Sequence, residues 1–102
     1  MSSQGNGEPV VYDVQMSEQT RAVIKERHRE AAEAGTGAAF LVALRHIFER
    51  LRADPLHFGE ALYHLPALKL LVCQAVVGPL VVDFGVHDER PLVFIRGFKV
   101  LD

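Results

Sequence analysis

The sequence predicts an α+β domain with the element order β-α-α-β-β-β, in which a mainly antiparallel sheet carries an αα-hairpin on one face. Two observations lead to this prediction. The last third of the chain contains three apolar runs rich in β-branched residues, at 68–77, 80–86 and 92–101. Before them, residues 17–52 show the spacing of apolar side chains that is typical of amphipathic helices.

The first predicted element is a half-buried strand at residues 10–16. Val10, Tyr12, Val14 and Met16 occupy alternate positions, which is the period of a strand with one buried face. The preceding residues 1–9 are polar and contain several Gly and Ser residues. We expect them to form a flexible leader ahead of a single domain at 10–102.

Two helices are predicted between this strand and the apolar runs. Ser17 is suited to cap the first helix, which extends to about Ala34 and has a thin apolar stripe, so it should lie on the surface. Gly35-Thr36-Gly37 ends it. A second helix is predicted at 38–52, with a continuous apolar stripe that should pack hardest on the sheet, and Asp54-Pro55 stops it. The connection between the helices is too short to cross the sheet, so both should lie on one face.

The remainder of the chain is predicted to be a connection followed by an antiparallel meander. Segment 56–66 should be a connection with one short helical turn around Glu60–His64. Gly78-Pro79 and the polar segment 87–91 are hairpin-length connections, which place the three apolar runs antiparallel to one another. Arg96 falls among apolar residues, and this predicts either a bulge or an edge position near Gly97.

Composition excludes several classes of protein. About half of the residues are apolar, at 49%, and the formal net charge is −2, which provides no general attraction for nucleic acid. The single cysteine, Cys73, forms no intramolecular disulfide and predicts a reducing compartment. There is no signal-peptide pattern and no bilayer-length apolar stretch. We therefore expect a soluble, cytoplasmic protein that does not bind membranes. The histidine spacings predict no metal site, and we expect no cofactor.

Two segments resemble the RelE/ParE superfamily, the toxin half of bacterial toxin–antitoxin modules. Residues 51–60, Leu-Arg-Ala-Asp-Pro-Leu-His-Phe-Gly-Glu, are similar to the family's exit from its second helix. Residues 92–99, Leu-Val-Phe-Ile-Arg-Gly-Phe-Lys, are similar to the last strand of HigB-like members. The predicted element order also matches, and the resemblance covers nearly the whole chain. It implies a toxin that cleaves mRNA or acts on gyrase and is held inactive by a cognate antitoxin.

The same resemblance identifies candidate catalytic residues. Toxic ribonucleases of this group use basic and aromatic residues on the exposed sheet face, because cations stabilise the charge that develops at the phosphate. Here Leu80 and Val81 replace the usual Tyr-Arg pair. Lys69, Arg96 and Lys99 remain as candidates, and the alternative for each is a solvated charge at a strand edge. His87 is a candidate general base oriented by Asp83, and the alternative is a polar residue beside a turn.

The face of the sheet opposite the helices is expected to remain uncovered and to bind a partner. We place Leu80, Val82, Phe84, Val86, Leu92, Phe94 and Phe98 on one face. We place Val81, Val93 and Ile95 on the other, as partner-binding residues. The expected partner is a cognate antitoxin, with mRNA or the ribosome as a further target. The alternative function is a non-enzymatic interaction module that forms a homodimer or docks through this face. A third possibility is that the leader or segment 56–66 covers it.

Overall fold

The computed structural model describes residues 10–101 and has an α+β fold, as predicted. Two helices and five strands follow one another along the chain: β1 Asp13–Met16, α1 Glu18–Glu33, α2 Gly37–Ala53, β2 Glu60–Leu65, β3 Leu70–Val77, β4 Leu80–His87 and β5 Leu92–Val100. A short 3-10 turn, Pro55–His57, follows α2. The predicted leader at 1–9 lies outside the described residues. Within residues 10–101, neither helix is long and apolar enough to cross a membrane.

The strands form one mixed sheet in the order β1-β5-β4-β3-β2. β3, β4 and β5 pair in antiparallel fashion, which confirms the predicted three-stranded meander, and β2 adds a fourth antiparallel strand beside β3. β1 is the exception, because it pairs with β5 in parallel. The helices lie between β1 and the meander in the chain, and the long connection they provide allows this parallel pairing.

Segment 60–65 differs from the prediction, which was wrong here. It is the strand β2, paired with β3 and carrying a bulge between Ala61 and Tyr63, and it contains no helical turn. β2 is an edge strand whose residues are nearly all exposed. The sequence of β2 therefore lacks the alternation of apolar and polar residues that indicates a strand. Its conformation depends on the hydrogen bonds of the ladder with β3.

The helices begin, end and pack as the sequence predicts. The Ser17 Oγ atom accepts a hydrogen bond from the backbone N–H of Thr20 at 3.0 Å, which caps α1. α1 buries only Ile24, consistent with a surface helix. α2 buries a full stripe, consisting of Phe40, Ala43, Ile47 and Leu51. This stripe packs on one face of the sheet and forms the core with Val82, Phe84 and Val86 of β4.

The register of β5 corrects two of the predicted partner-binding residues. Val93 lies opposite Val86 and Ile95 opposite Phe84, so both face the helices, where they are buried in the core. A bulge then places Arg96 outside the ladder and returns Phe98 to the same covered face, opposite Val82. Of the two predicted alternatives near Gly97, a bulge and an edge position, the structure has the bulge. Because Arg96 is an extra residue, odd-numbered side chains face the helices before it and even-numbered side chains face them after it. The assignment of Val93 and Ile95 to the uncovered face was wrong for this reason.

Candidate functional site

The candidate site is the sheet face opposite the helices, called here the open face. In an antiparallel ladder, directly paired residues share a face, so the register identifies its members. They include Tyr63, Leu70, Val72, Gln74, Val76, Val81, Asp83, Gly85, His87, Leu92, Phe94 and Lys99. The stripe of α2 packs on the other face. The start of α1, at Ser17 and Thr20, borders the open face beside Arg96.

The open face is less apolar at its surface than the sequence suggested. Val81 lies on it as predicted, but only 4% of Val81 is exposed, and Val72 is similarly buried. Because neighbouring side chains already cover Val81, it offers little surface to a partner. Among its apolar side chains, Tyr63 is 52% exposed and Val76 is 58% exposed, and Leu92 and Phe94 are half-buried. Tyr63 lies on β2 and Val76 on the neighbouring strand β3. Val81 is buried and Val93 and Ile95 face the helices, so these three predicted residues form no exposed patch.

One depression of this face is polar and is called here the polar cleft. It has a volume of about 490 Å³, and its lining includes Ser17, Thr20, Tyr63, Gln74, Asp83 and Arg96. The Gln74 Nε2 atom donates a hydrogen bond to Asp83 Oδ1 at 2.8 Å, across the β3–β4 hairpin. A Cβ atom at Gly97 would lie 3.2 Å from Asp83 Oδ2, so the glycine leaves room for the carboxylate. This cleft presents both a carboxylate and a guanidinium, a combination suited to polar ligands.

A second depression is mainly apolar and is called here the apolar cleft. It has a volume of about 440 Å³ and is lined by Leu68, Leu70, His87, Arg90, Leu92, Phe94 and Arg96. Arg96 borders both clefts because its stem lies across Gly85, where a Cβ atom would be 3.5 Å from the Arg96 Cδ atom. Arg90 and Arg96 form no ion pair with any residue in 10–101.

The three predicted basic catalytic residues do not converge. Lys69 lies in the β2–β3 turn with a φ angle of 55°, and its Nζ atom is 3.1 Å from Glu89 Oε1. Lys99 lies opposite Val81, at the other end of β4. Lys69 precedes Leu70, the partner of His87. His87 and Val81 are six positions apart along β4, so the two lysines are about 20 Å apart and cannot contact the same phosphate. Of the three, Arg96 alone lines the two clefts of the open face.

His87 and Asp83 do not form the predicted pair. The His87 Nδ1 atom accepts hydrogen bonds from the backbone N–H groups of Glu89 and Arg90, at 3.0 and 3.1 Å. Asp83 is hydrogen-bonded to Gln74. With Nδ1 as an acceptor, the ring carries its proton on Nε2, and its role is to stabilise the turn into β5. These contacts favour the alternative interpretation of His87, a polar residue beside a turn.

Sequence reasoning missed Gln74, Tyr63, Arg90 and the burial of Val81. A signal existed for Gln74, because it and Asp83 are equidistant from the Gly78-Pro79 turn and hence face each other in the hairpin. The sequence contains no such signal for Tyr63, because the exposed edge strand β2 has no alternation of buried and exposed residues. The remaining reactive group is the thiol of Cys73, whose pKa is raised by burial. Among the described residues, no three His, Cys, Asp or Glu side chains cluster as metal ligands would.

Comparison of the chain with protein-family models, curated proteins and solved structures gives no match. The proposed function therefore rests on the fold and on the geometry of the open face.

Proposed function

We propose that this protein is a toxin-type member of the RelE/ParE superfamily, or a degenerate relative, whose principal activity is to bind a cognate antitoxin. The resemblance of residues 51–60 and 92–99 to that superfamily supports the proposal. The observation that carries it is the open face, a sheet surface opposite the helical pair that holds two clefts and an unpaired Arg96. A partner strand or helix with acidic residues would complement these features.

The antitoxin would contact the β2 side of the open face. Tyr63 and Val76 are exposed apolar side chains there, and Arg96 in the adjacent polar cleft would pair with a carboxylate of the antitoxin. β2 also has an unpaired edge, to which an extended segment can add through backbone hydrogen bonds. These contacts give antitoxin binding a physical basis that does not require catalysis.

Cleavage of mRNA is a subsidiary part of the proposal. The separation of Lys69 from Lys99 leaves Arg96 as the residue to which we assign phosphate contact in the polar cleft. One guanidinium stabilises a developing phosphorane less well than a cluster of cations would. We therefore expect ribonuclease activity on mRNA or ribosome-bound message to be weak and to depend on Arg96.

The test is induced expression in bacteria, with growth followed alone and together with the product of the neighbouring gene. We expect growth inhibition that co-expression relieves, and co-purification of the two products. Arg96→Ala should weaken co-purification. Arg45→Ala is the matched control, because Arg45 is an exposed arginine on α2, away from the open face. Strong expression of folded protein with unchanged growth and no bound neighbouring product would reject the proposal.

A second candidate function is a non-enzymatic module that forms a homodimer. The specific observation in its favour is the exposed edge strand β2, in which Leu62 is 46% exposed beside Tyr63. Two copies of an edge strand can pair in antiparallel fashion about a two-fold axis. Light scattering after size-exclusion chromatography distinguishes this candidate. A dimer that Tyr63→Lys dissociates, and that Val42→Lys on α2 leaves intact, would support it.

A further inference from the structure

We propose that the apolar cleft binds a small organic carboxylate with an aliphatic or aromatic body. This inference goes beyond the toxin proposal. It shares Arg96 with that proposal, but it concerns the end of the open face beside the β4–β5 turn and does not require an antitoxin. Of the residues that line the cleft, Leu70, Leu92 and Phe94 are buried or half-buried and form its floor, whereas Arg90 and Arg96 are exposed and lie at its rim. An apolar floor with cationic groups at the rim matches a ligand whose body is apolar and whose head is anionic.

The charged groups around the apolar cleft determine the sign of the charge that a ligand should carry. The two carboxylates of the turn already have partners from the β2–β3 side. Asp88 Oδ2 lies 2.7 Å from His64 Nε2, and Glu89 binds Lys69. Arg90, the next residue in the same turn, has no ion-pair partner in 10–101, and neither does Arg96. No acidic residue lines the cleft. The uncompensated charge at its rim is therefore positive.

A planar carboxylate suits this rim better than a bare anion. A guanidinium donates two parallel hydrogen bonds to a carboxylate, and two guanidinium groups are available here. The hydrogen bonds from the turn to His87 Nδ1 leave Nε2 of the same ring as a further donor in the cleft lining. Inorganic anions would use only these donors and would leave the apolar floor empty. The body of an organic acid would remove that floor from water.

Gly85 is the residue that makes the site possible. A Cβ atom at this position would lie 3.1 Å from Leu70 Cδ1 and 3.5 Å from Arg96 Cδ. The glycine thus allows Leu70 to lie on the floor and the stem of Arg96 to cross the sheet towards the cleft. A side chain at position 85 would displace one or both of them.

The experiment is an NMR titration of the full chain, labelled with ¹⁵N, using hexanoate and octanoate as probes. We expect saturable shifts confined to the lining of the apolar cleft, with a Kd for octanoate of about 1 mM. Each added methylene should tighten binding about twofold to fourfold. Hexanamide, which has the same body without the charge, should bind at least about tenfold more weakly, since it cannot form charge-assisted hydrogen bonds.

Variants assign the binding to the named residues. Arg90→Gln and Arg96→Gln should each weaken octanoate binding about fivefold to tenfold, whereas Arg45→Gln should leave it unchanged. All three side chains are exposed, so the amide spectrum should report an intact fold. Equal binding of hexanamide and hexanoate would overturn the proposal, as would equally tight binding of inorganic phosphate. Binding of an acidic peptide without binding of the free acids would overturn it as well.

Discussion

Gln74 and Asp83 face each other across the β3–β4 hairpin and are joined by a hydrogen bond of 2.8 Å in the polar cleft. The bond is partly buried, and it connects two strands whose backbones already pair at these positions. It orients the carboxylate of Asp83 towards the space left by Gly97. The pair therefore links the stability of the hairpin to the shape of the cleft.

The first prediction concerns the energy of this pair. A double-mutant cycle with Gln74→Ala and Asp83→Ala should give a coupling of about 1 kcal/mol, the usual net value for one hydrogen bond that is not fully desolvated. The measurement is urea unfolding of the four proteins. Strictly additive single effects would show that the two side chains do not interact in solution.

The second prediction compares two glycines with positive φ angles. Gly59 has a φ of 84°, and a Cβ atom there would lie 2.3 Å from the Gln74 carbonyl oxygen. Gly59→Ala should therefore cost more than about 2 kcal/mol, from the backbone conformation and the clash together. Gly78 has a φ of 60° with nothing within 4 Å, so Gly78→Ala should cost only about 1 kcal/mol. Chemical denaturation checks the order, and equal costs would contradict the close approach of Gly59 to β3.

The third prediction tests the register of β5. Ile95 is buried against the helices, and Ile95→Ala should lower the free energy of unfolding by about 2 to 5 kcal/mol through loss of burial and creation of a cavity. Val76 is exposed on the opposite face, and Val76→Ala should change the free energy of unfolding by less than about 0.5 kcal/mol. Thermal or urea unfolding of both variants measures the difference. A mild effect at Ile95 would place it on the open face and restore the sequence-based assignment.

The fourth prediction concerns the reactivity of Cys73. Burial raises the pKa of its thiol, so the native protein should hold it protonated at neutral pH and react slowly with a disulfide reagent. Unfolding in guanidinium should restore the rate of a free thiol. Rapid modification of the native protein, at the rate seen in guanidinium, would exclude this burial.

The raised pKa of the Cys73 thiol also makes the stability of the protein depend on pH. The stabilisation that comes from burying the neutral thiol is complete below the pKa of the unfolded thiol, about 8.5, and is lost as the pH rises towards the higher folded value. Cys73→Ala should remove this part of the alkaline loss of stability. An unchanged slope of the unfolding free energy against pH in that variant would assign the loss to other groups.

The sequence predicted the elements that depend on local chemistry. The cap at Ser17, the stop at Asp54-Pro55 and the hairpin at Gly78-Pro79 are encoded by neighbouring residues, and each was found where expected. β2 was missed because an exposed edge strand takes its conformation from β3 and has no apolar alternation of its own. The faces of residues 92–95 in β5 were assigned wrongly, because the sequence does not reveal which residue leaves the ladder at a bulge.

The candidate site was predictable only in part. The open face follows from the helical pair lying on one side, and Arg96 was named from the sequence. The roles of Lys69 and His87 were not predictable, because each is decided by a turn that brings Glu89 or a backbone amide into contact. The burial of Val81 likewise depends on side chains from other strands.

The amino-acid sequence by itself determined the α+β class, the helix limits and the antiparallel order of the last three strands, because caps, turns and periodicity act over a few neighbouring residues. Only the tertiary structure decided which charges remain free. Lys69 binds Glu89 and His64 binds Asp88, while Arg90 and Arg96 find no partner in residues 10–101. Pairing of this kind depends on distances between chain segments, which the register and the bulge at Arg96 set in three dimensions.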